Sequence, residues 1–292
     1  GRQLMQKFPR AKKVIITLFL CVPLLLLLVF GYLPILNMIG YSFTRWDGLG
    51  KKEWVGLANY LELFTRVENF RVFFVSIYYF VGAFIQLALA LFFATLLNFP
   101  IKGQNLFKGI LFFPNLINGV AIGFIFLYFF RDTGTLNTFL RFLGFKGQIL
   151  WLTDPRVINY SLAATSIWRY MGFNMVMFLG AFQSISQEIY EAAALDGAER
   201  WNLFRYIMFP IIKPVVKLNL ILSIKGALSV FEIPYIMTGG GNGSSTFVIR
   251  TIDTAFKFNK IGLASAMAVV LTIIILLITA IQEKMFKEER YL

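Results

Sequence analysis

The 292-residue chain carries 28 Lys and Arg against 15 Asp and Glu, a formal charge of +13, yet only 15% of its residues are charged while 58% are hydrophobic and 17% aromatic. Soluble domains hold about 25% charged and about 45–50% apolar residues, and a soluble chain of this composition, with mean hydropathy +0.70, would expose aggregating apolar surface. The absence of histidine, with Cys21 as the single cysteine, excludes an intrachain disulfide, a Cys/His metal site and histidine acid–base chemistry. No metal ligation is expected.

A membrane-crossing helix needs about 20 apolar residues. Six runs meet that need in chain order, at approximately 14–36, 72–97, 109–130, 157–182, 214–237 and 261–282. The first is longer than the roughly 7–15-residue apolar core of a signal peptide and no small-residue cleavage site follows it. Asn98-Phe99-Pro100 punctuates the end of the second, and the third, Gly109–Phe130, is uncharged throughout. Arg169 is the one charge in the fourth run, and Lys225 and Glu232 stand in the fifth. Uninterrupted runs without period-2 alternation argue against a barrel. The expected fold is therefore all-α, one polytopic domain over residues 1–292 with six transmembrane helices and a helical loop, 183–213, between the fourth and fifth.

Charge sets the orientation. Arg2, Lys7, Arg10, Lys12 and Lys13 precede the first run with no acid among them, whereas Arg45, Lys51 and Lys52 beyond it are interleaved with Asp47 and Glu53. Positive-inside then places both termini and the 183–213 loop in the cytoplasm. The Lys and Arg residues lie in breaks between apolar runs, and no basic stripe interleaved with aromatics marks a nucleic-acid site.

The cytoplasmic loop reads as two short helices with a break. Glu188–Leu195 is rich in helix formers. Gly197 permits a sharp turn with positive φ, and Asp196 with Glu199 three residues on has the spacing of a capping box for the second helix. Trp201, Phe204 and Met208 recur at helical spacing, and Pro210 and Pro214 are expected to end that helix. Physically this is either an amphipathic helix on the membrane surface or a docking element.

The segment resembles the EAA loop of the permease subunits of binding-protein-dependent ABC importers. That pattern appears as Glu191-Ala192-Ala193, then Asp196-Gly197-Ala198, then Ile207-Met208-Phe209-Pro210, with Phe209 where the family carries Leu. Trp54-Val55-Gly56, Trp151-Leu152-Thr153-Asp154-Pro155, Trp168 with Gly172-Phe173, and Thr238-Gly239-Gly240 extend the similarity to nearly the whole chain and to the carbohydrate branch, in the manner of the first, maltose- or glycerol-phosphate-type permease. Gly241-Asn242-Gly243 departs from the family's Gly-Pro.

The resemblance implies a transport subunit in a bacterial cell membrane, and not an enzyme. It implies a second permease, two ATPase subunits and an extracytoplasmic solute-binding protein as partners. No Gly-x-x-x-x-Gly-Lys-Ser/Thr stretch is present to cradle phosphates, so this chain is expected to bind no cofactor, with ATP and Mg on the ATPases. Glu191, Ala192, Ala193, Asp196, Gly197, Ala198, Trp201, Phe204, Ile207 and Pro210 would form the ATPase-coupling surface. By position in the family, Ser166, Tyr170, Phe173 and Ser223 would contact cargo, with Ala227 and Val230 replacing polar residues. Tyr and Phe on an apolar helix also serve simply as packing. Arg169, Lys225 and Glu232 are assigned either to the solute path and pairing within it or to snorkelling. Lys225 and Glu232, seven apart, would share a helix face. The cargo is expected to be a sugar or oligosaccharide; the alternative is glycerol phosphate or another anionic solute, which Arg169 and Lys225 would favour. A membrane enzyme lacks clustered carboxylates here, and a secondary transporter would have no use for an EAA loop.

Overall fold

A computed structural model describes residues 10–198 and 201–285. Along the chain the elements are α1 (Arg10–Leu27), α2 (Leu33–Ser42), β1 (Thr44–Arg45), β2 (Glu53–Trp54), α3 (Ala58–Thr65), α4 (Val67–Arg71), α5 (Phe73–Leu96), α6 (Gln104–Leu116), α7 (Gly119–Phe129), α8 (Thr135–Phe142), α9 (Ile158–Gln183), α10 (Gln187–Leu195), α11 (Trp201–Leu203), α12 (Phe209–Leu228), α13 (Glu232–Thr238), α14 (Phe247–Phe256) and α15 (Ile261–Met285). By compactness they divide into two units: residues up to Thr65 with Asp253–Leu271, and Arg66–Ile252 with those from Thr272.

In the first unit, a π-helical turn at Leu28–Tyr32 joins α1 to α2, and the continuous run Val14–Ser42 is exposed along its apolar length. Beyond it the strands pair antiparallel, Thr44 opposite Trp54. Asp47 holds the turn by accepting from the amides of Gly50 and Leu49 at 2.8 and 2.9 Å, and those bonds keep its carboxyl below the usual carboxylate range. Buried Asn59 donates to the carbonyls of Ser42 and Thr44. Gly262 packs so closely on the Thr44 carbonyl that a Cβ there would collide with it.

The second unit is a helical bundle built on α5, α9 and α12. Lipid offers no hydrophobic drive between helices, so close backbone approach and dispersion must hold them. The buried face of α5 accordingly includes several small residues, Ser76, Gly82, Ala83, Ala90 and Ala94, beside larger Tyr79, Gln86 and Leu87. A cluster of Met175, Phe178 and Phe182 of α9 with Met208 and Ile212 fills one end. Ile158, Leu162, Phe130 and Ile233 fill the other. Asp154 precedes α9 and accepts from the side chain and amide of Arg156, which lowers its pKa.

Three expectations are corrected here. The run Gly109–Phe130 is not one straight helix: α6 and α7 meet at 99°. Ile117 is extended, Asn118 Oδ1 caps α7 by accepting from Val120 N at 2.8 Å, and Gly119 supplies room at the corner. Pro210 and Pro214 do not end the helix. A π-turn at Phe204–Met208 closes with Phe209 N donating to Phe204 O, and α12 runs on through both prolines. The same device precedes Pro34, where Leu33 N donates to Leu28 O; in both places the hydrogen-bond register shifts next to a residue with no donor to place. Finally, Lys225 and Glu232 do not share a continuous helix face, because the helix breaks at Ser229–Phe231 between α12 and α13.

By length and apolarity, Val14–Ser42, Val67–Leu96, Trp201–Thr238 and Ile261–Met285 can each cross a membrane, and the bent pair α6–α7 makes a fifth if it counts as one span. Helix α9, at 26 residues, is long enough, about 39 Å. It falls outside that set because Asn159, Thr165, Ser166, Arg169 and Asn174 interrupt its apolar character.

Candidate functional site

Three helices of the second unit turn matching stripes toward one cavity of about 460 Å³. Tyr79, Ala83 and Gln86 of α5 are spaced i, i+4, i+7. So are Ser166, Tyr170 and Phe173 of α9, and Ser223, Ala227 and Val230 across the end of α12. That spacing puts the α5 and α9 trios each on one helix face, while Val230 joins Ser223 and Ala227 from the break that follows α12. The break at Ser229–Phe231 lets Glu232, the first residue of α13, reach the same wall.

The lining mixes rings with polar groups that have no partner in the fold. Tyr79 Oη, Ser166 Oγ and Asn174 Nδ2 are buried and lack a hydrogen-bond partner among the described residues. Such groups are costly unless something accepts or donates to them.

Behind this wall Arg169 Nη1 donates to Glu232 Oε2 at 2.6 Å. The Arg169 side chain is 12% exposed and that of Glu232 41%. The guanidinium also lies 5.0 Å from the centre of the Tyr170 ring. Gly119, at the corner between α6 and α7, sits against both charged groups, and any Cβ there would collide with them. Gly172 likewise packs on the Leu111 carbonyl of α6.

Of the residues expected on the solute path, Ser166, Tyr170, Phe173, Ser223 and Glu232 meet at the cavity, together with Ala227 and Val230. Arg169 is adjacent and paired. Lys225 is exposed on α12 and lies off the cavity wall. Sequence reasoning missed Tyr79, Gln86, Asn174 and Ser229. The signal for Gln86 and Asn174 was present: an uncharged polar side chain within an otherwise apolar span faces protein or a cavity rather than lipid.

The 183–213 loop has a distinct geometry. Gly197 has φ +74°, as its placement predicts. Gly197 N donates to Ala194 O at 3.1 Å and Ala198 N to Ala193 O at 2.9 Å. These paired bonds make a Schellman motif, so Asp196 caps the C-terminus of α10 rather than opening the next helix. Glu199, its expected capping-box partner, lies outside the described residues. Ala193 is buried, and Asn98 Nδ2 donates to Tyr190 Oη at 3.3 Å, tying α10 to the loop after α5. Phe204 packs with Met208 in the core cluster, and Ile207 is half-buried. Glu191, Ala192, Asp196, Gly197 and Pro210 are exposed, Ala198 half-buried, and Trp201 64% exposed. Leu195, not singled out from the sequence, is 90% exposed.

The chain thus combines several helices able to cross a membrane with a cavity that mixes rings and unpartnered polar groups. The chain belongs to the family of binding-protein-dependent transport system inner membrane components, whose sequence profile matches residues 86–288. It is 32% identical over 273 residues to the probable ABC transporter permease protein YesP of Bacillus subtilis, covering 90% of this chain and 86% of that protein. It is 32% identical over 281 residues to the arabinooligosaccharides transport system permease protein AraP of the same organism, covering 94% and 89%. Its fold matches a chain in the crystal structure of a bacterial alginate ABC transporter in complex with alginate pentasaccharide-bound periplasmic protein, with TM-score 0.85, 20% identity and 94% of each chain covered. Family membership makes this chain a transport subunit and not an enzyme.

Proposed function

We propose that this chain is one of two different permease subunits of an ATP-driven importer for a sugar or oligosaccharide. The observation that carries the assignment of cargo is the cavity. Rings of Tyr170 and Phe173 stand beside Tyr79, Ser166 and Asn174, whose polar atoms have no partner among the described residues. Aromatic faces suit the C–H faces of a sugar, and such polar groups suit its hydroxyls. The similarity to an arabinooligosaccharide permease supports the same cargo class. An anionic cargo is disfavoured, because the Arg169 charge is already met by Glu232 and Lys225 is off the wall.

In this proposal the chain forms six spans as one domain in a bacterial cell membrane, with both termini and the α10 loop cytoplasmic. Helix α9 is then the fourth span; its polar residues face α5, α12 and the cavity rather than lipid. The bent α6–α7 pair is the third span. ATP and Mg act on two separate ATPase subunits, and a solute-binding protein delivers cargo from outside. Glu191, Ala192, Leu195 and Trp201 present the surface that meets an ATPase. Closure of the ATPases on ATP is transmitted by differential affinity for the two states of the permease pair.

The test is uptake by the complete importer in proteoliposomes, after its binding protein has been screened by thermal shift against neutral and acidic sugars. Import of a neutral sugar, competed by its homologues, is expected. Selective import of an anionic solute would overturn the cargo assignment.

A further inference from the structure

The face of α9 opposite the cavity carries a second recess. Ala164 and Trp168 precede Ser166 and Tyr170 by two positions each, about 200° around an α-helix. With Phe126, Phe129 and Phe130 at the end of α7 and Trp151 beyond them, they line a cleft of about 670 Å³. Its nature is unlike that of the cavity. Two of its polar groups are committed to protein: Trp151 Nε1 donates to Asn137 Oδ1 at 3.1 Å, and Ser161 Oγ donates to Trp151 O at 3.0 Å. Apart from the hydroxyl of exposed Tyr160, what faces the cleft is ring and aliphatic carbon. Phe126 packs edge-on against Trp168 at 5.1 Å between centroids.

One residue past Phe130, exposed Arg131 stacks its guanidinium 4.2 Å over the Tyr128 ring. A cation fixed where a span ends is placed at the level of lipid phosphates. Helix α8 carries the apolar surface on from there, with Leu136 at the cleft and Phe139 and Phe142 55% and 85% exposed. An amphipathic helix with its apolar side bare, directly after a span, belongs in the bilayer interface.

We propose that this cleft holds an acyl chain of one phospholipid, with Arg131 on its phosphate. On the function proposed above the solute path faces the second permease, which puts that partner on the cavity side of α9 and leaves this cleft to another occupant. A sugar is the wrong occupant, because among the described residues the cleft presents no buried unpaired hydroxyl or amide of the kind found in the cavity. With the orientation proposed above the lipid lies in the outer leaflet; the cleft and its cation do not depend on that orientation.

The test is native mass spectrometry of the intact importer, extracted from bilayers of phosphatidylglycerol and phosphatidylcholine and progressively delipidated. The wild-type complex should retain one phospholipid that Ala164→Phe, which fills the cleft, retains several-fold less; Ala164→Val should lie between. Arg131→Gln should keep a lipid but lose the preference for phosphatidylglycerol. Equal retention by wild type and Ala164→Phe would overturn the proposal. Loss of the second permease from the Ala164→Phe complex would also overturn it, by making the cleft a protein interface. Lipid retention is read without transport. A complex that imports no sugar yet loses lipid on Ala164→Phe would therefore sink the cargo proposal and leave this one standing.

Discussion

Arg169 and Glu232 meet at 2.6 Å against the backbone of Gly119, so one ion pair joins α9, α13 and the corner between α6 and α7. Removing one partner of a fully buried pair costs about 3–5 kcal/mol, and less here because Glu232 is 41% exposed. Arg169→Met and Glu232→Gln should each lower the thermal midpoint of the purified complex and reduce uptake. The double variant should be more stable than the sum of the two losses predicts. Strict additivity in the thermal midpoints would show that the pair does not act as a unit.

Space at the helix crossings is the second determinant. Gly172→Val should block assembly, because its side chain meets the Leu111 backbone, which has no room to shift within α6. Gly180→Ala, where nothing lies within 4 Å of the added carbon, should assemble normally and gain slightly in helix propensity. Co-purification of the partner subunits measures both.

The cavity predicts a division among residues that look alike in sequence. Tyr170→Ala should impair uptake while the complex still assembles, since the ring lines the wall. Lys225→Met should leave uptake near wild type, since Lys225 is exposed and off that wall. Reduced uptake on Lys225→Met with normal assembly would return the lysine to the solute path.

Orientation can be read by impermeant thiol labelling in a Cys21→Ser background. Lys146 and Lys102 are exposed and serve as labelling sites. Lys146→Cys should label in intact cells and Lys102→Cys only after permeabilisation. The opposite pattern would invert the proposed topology.

The sequence made the apolar spans and the positive-φ glycine at Gly197 legible, because chain length in lipid and the Cβ penalty act locally. Ser166, Tyr170 and Phe173 were expected from the family resemblance, and their i, i+4, i+7 spacing is why α9 brings them to one face. What it hid depends on tertiary contact. The 99° corner in Gly109–Phe130 has a local cue in Asn118-Gly119, an N-cap residue followed by glycine, but that Gly119 lies against the Arg169–Glu232 pair depends on residues far along the chain. Asp196-Gly197 fits both an N-cap and a C-cap by composition; the bonds to Ala193 and Ala194 decide for the latter. Pro210 carries a breaking signal that a π-turn absorbs.

The central claim is that the α10 loop transmits ATP hydrolysis to the spans, and the most direct measurement is binding-protein-stimulated ATP hydrolysis by the complete importer in proteoliposomes. Proline cannot adopt φ +74° at position 197, so Gly197→Pro should abolish the Schellman cap and most of the stimulation. Glu191→Lys and Leu195→Glu, both at exposed positions, should lower stimulation several-fold while leaving the six spans inserted and basal hydrolysis by the free ATPase intact. A helix that merely lay on the membrane would tolerate Glu191→Lys or gain from it, because anionic lipid attracts a basic face. Full stimulation in all three variants would contradict the role assigned to this loop.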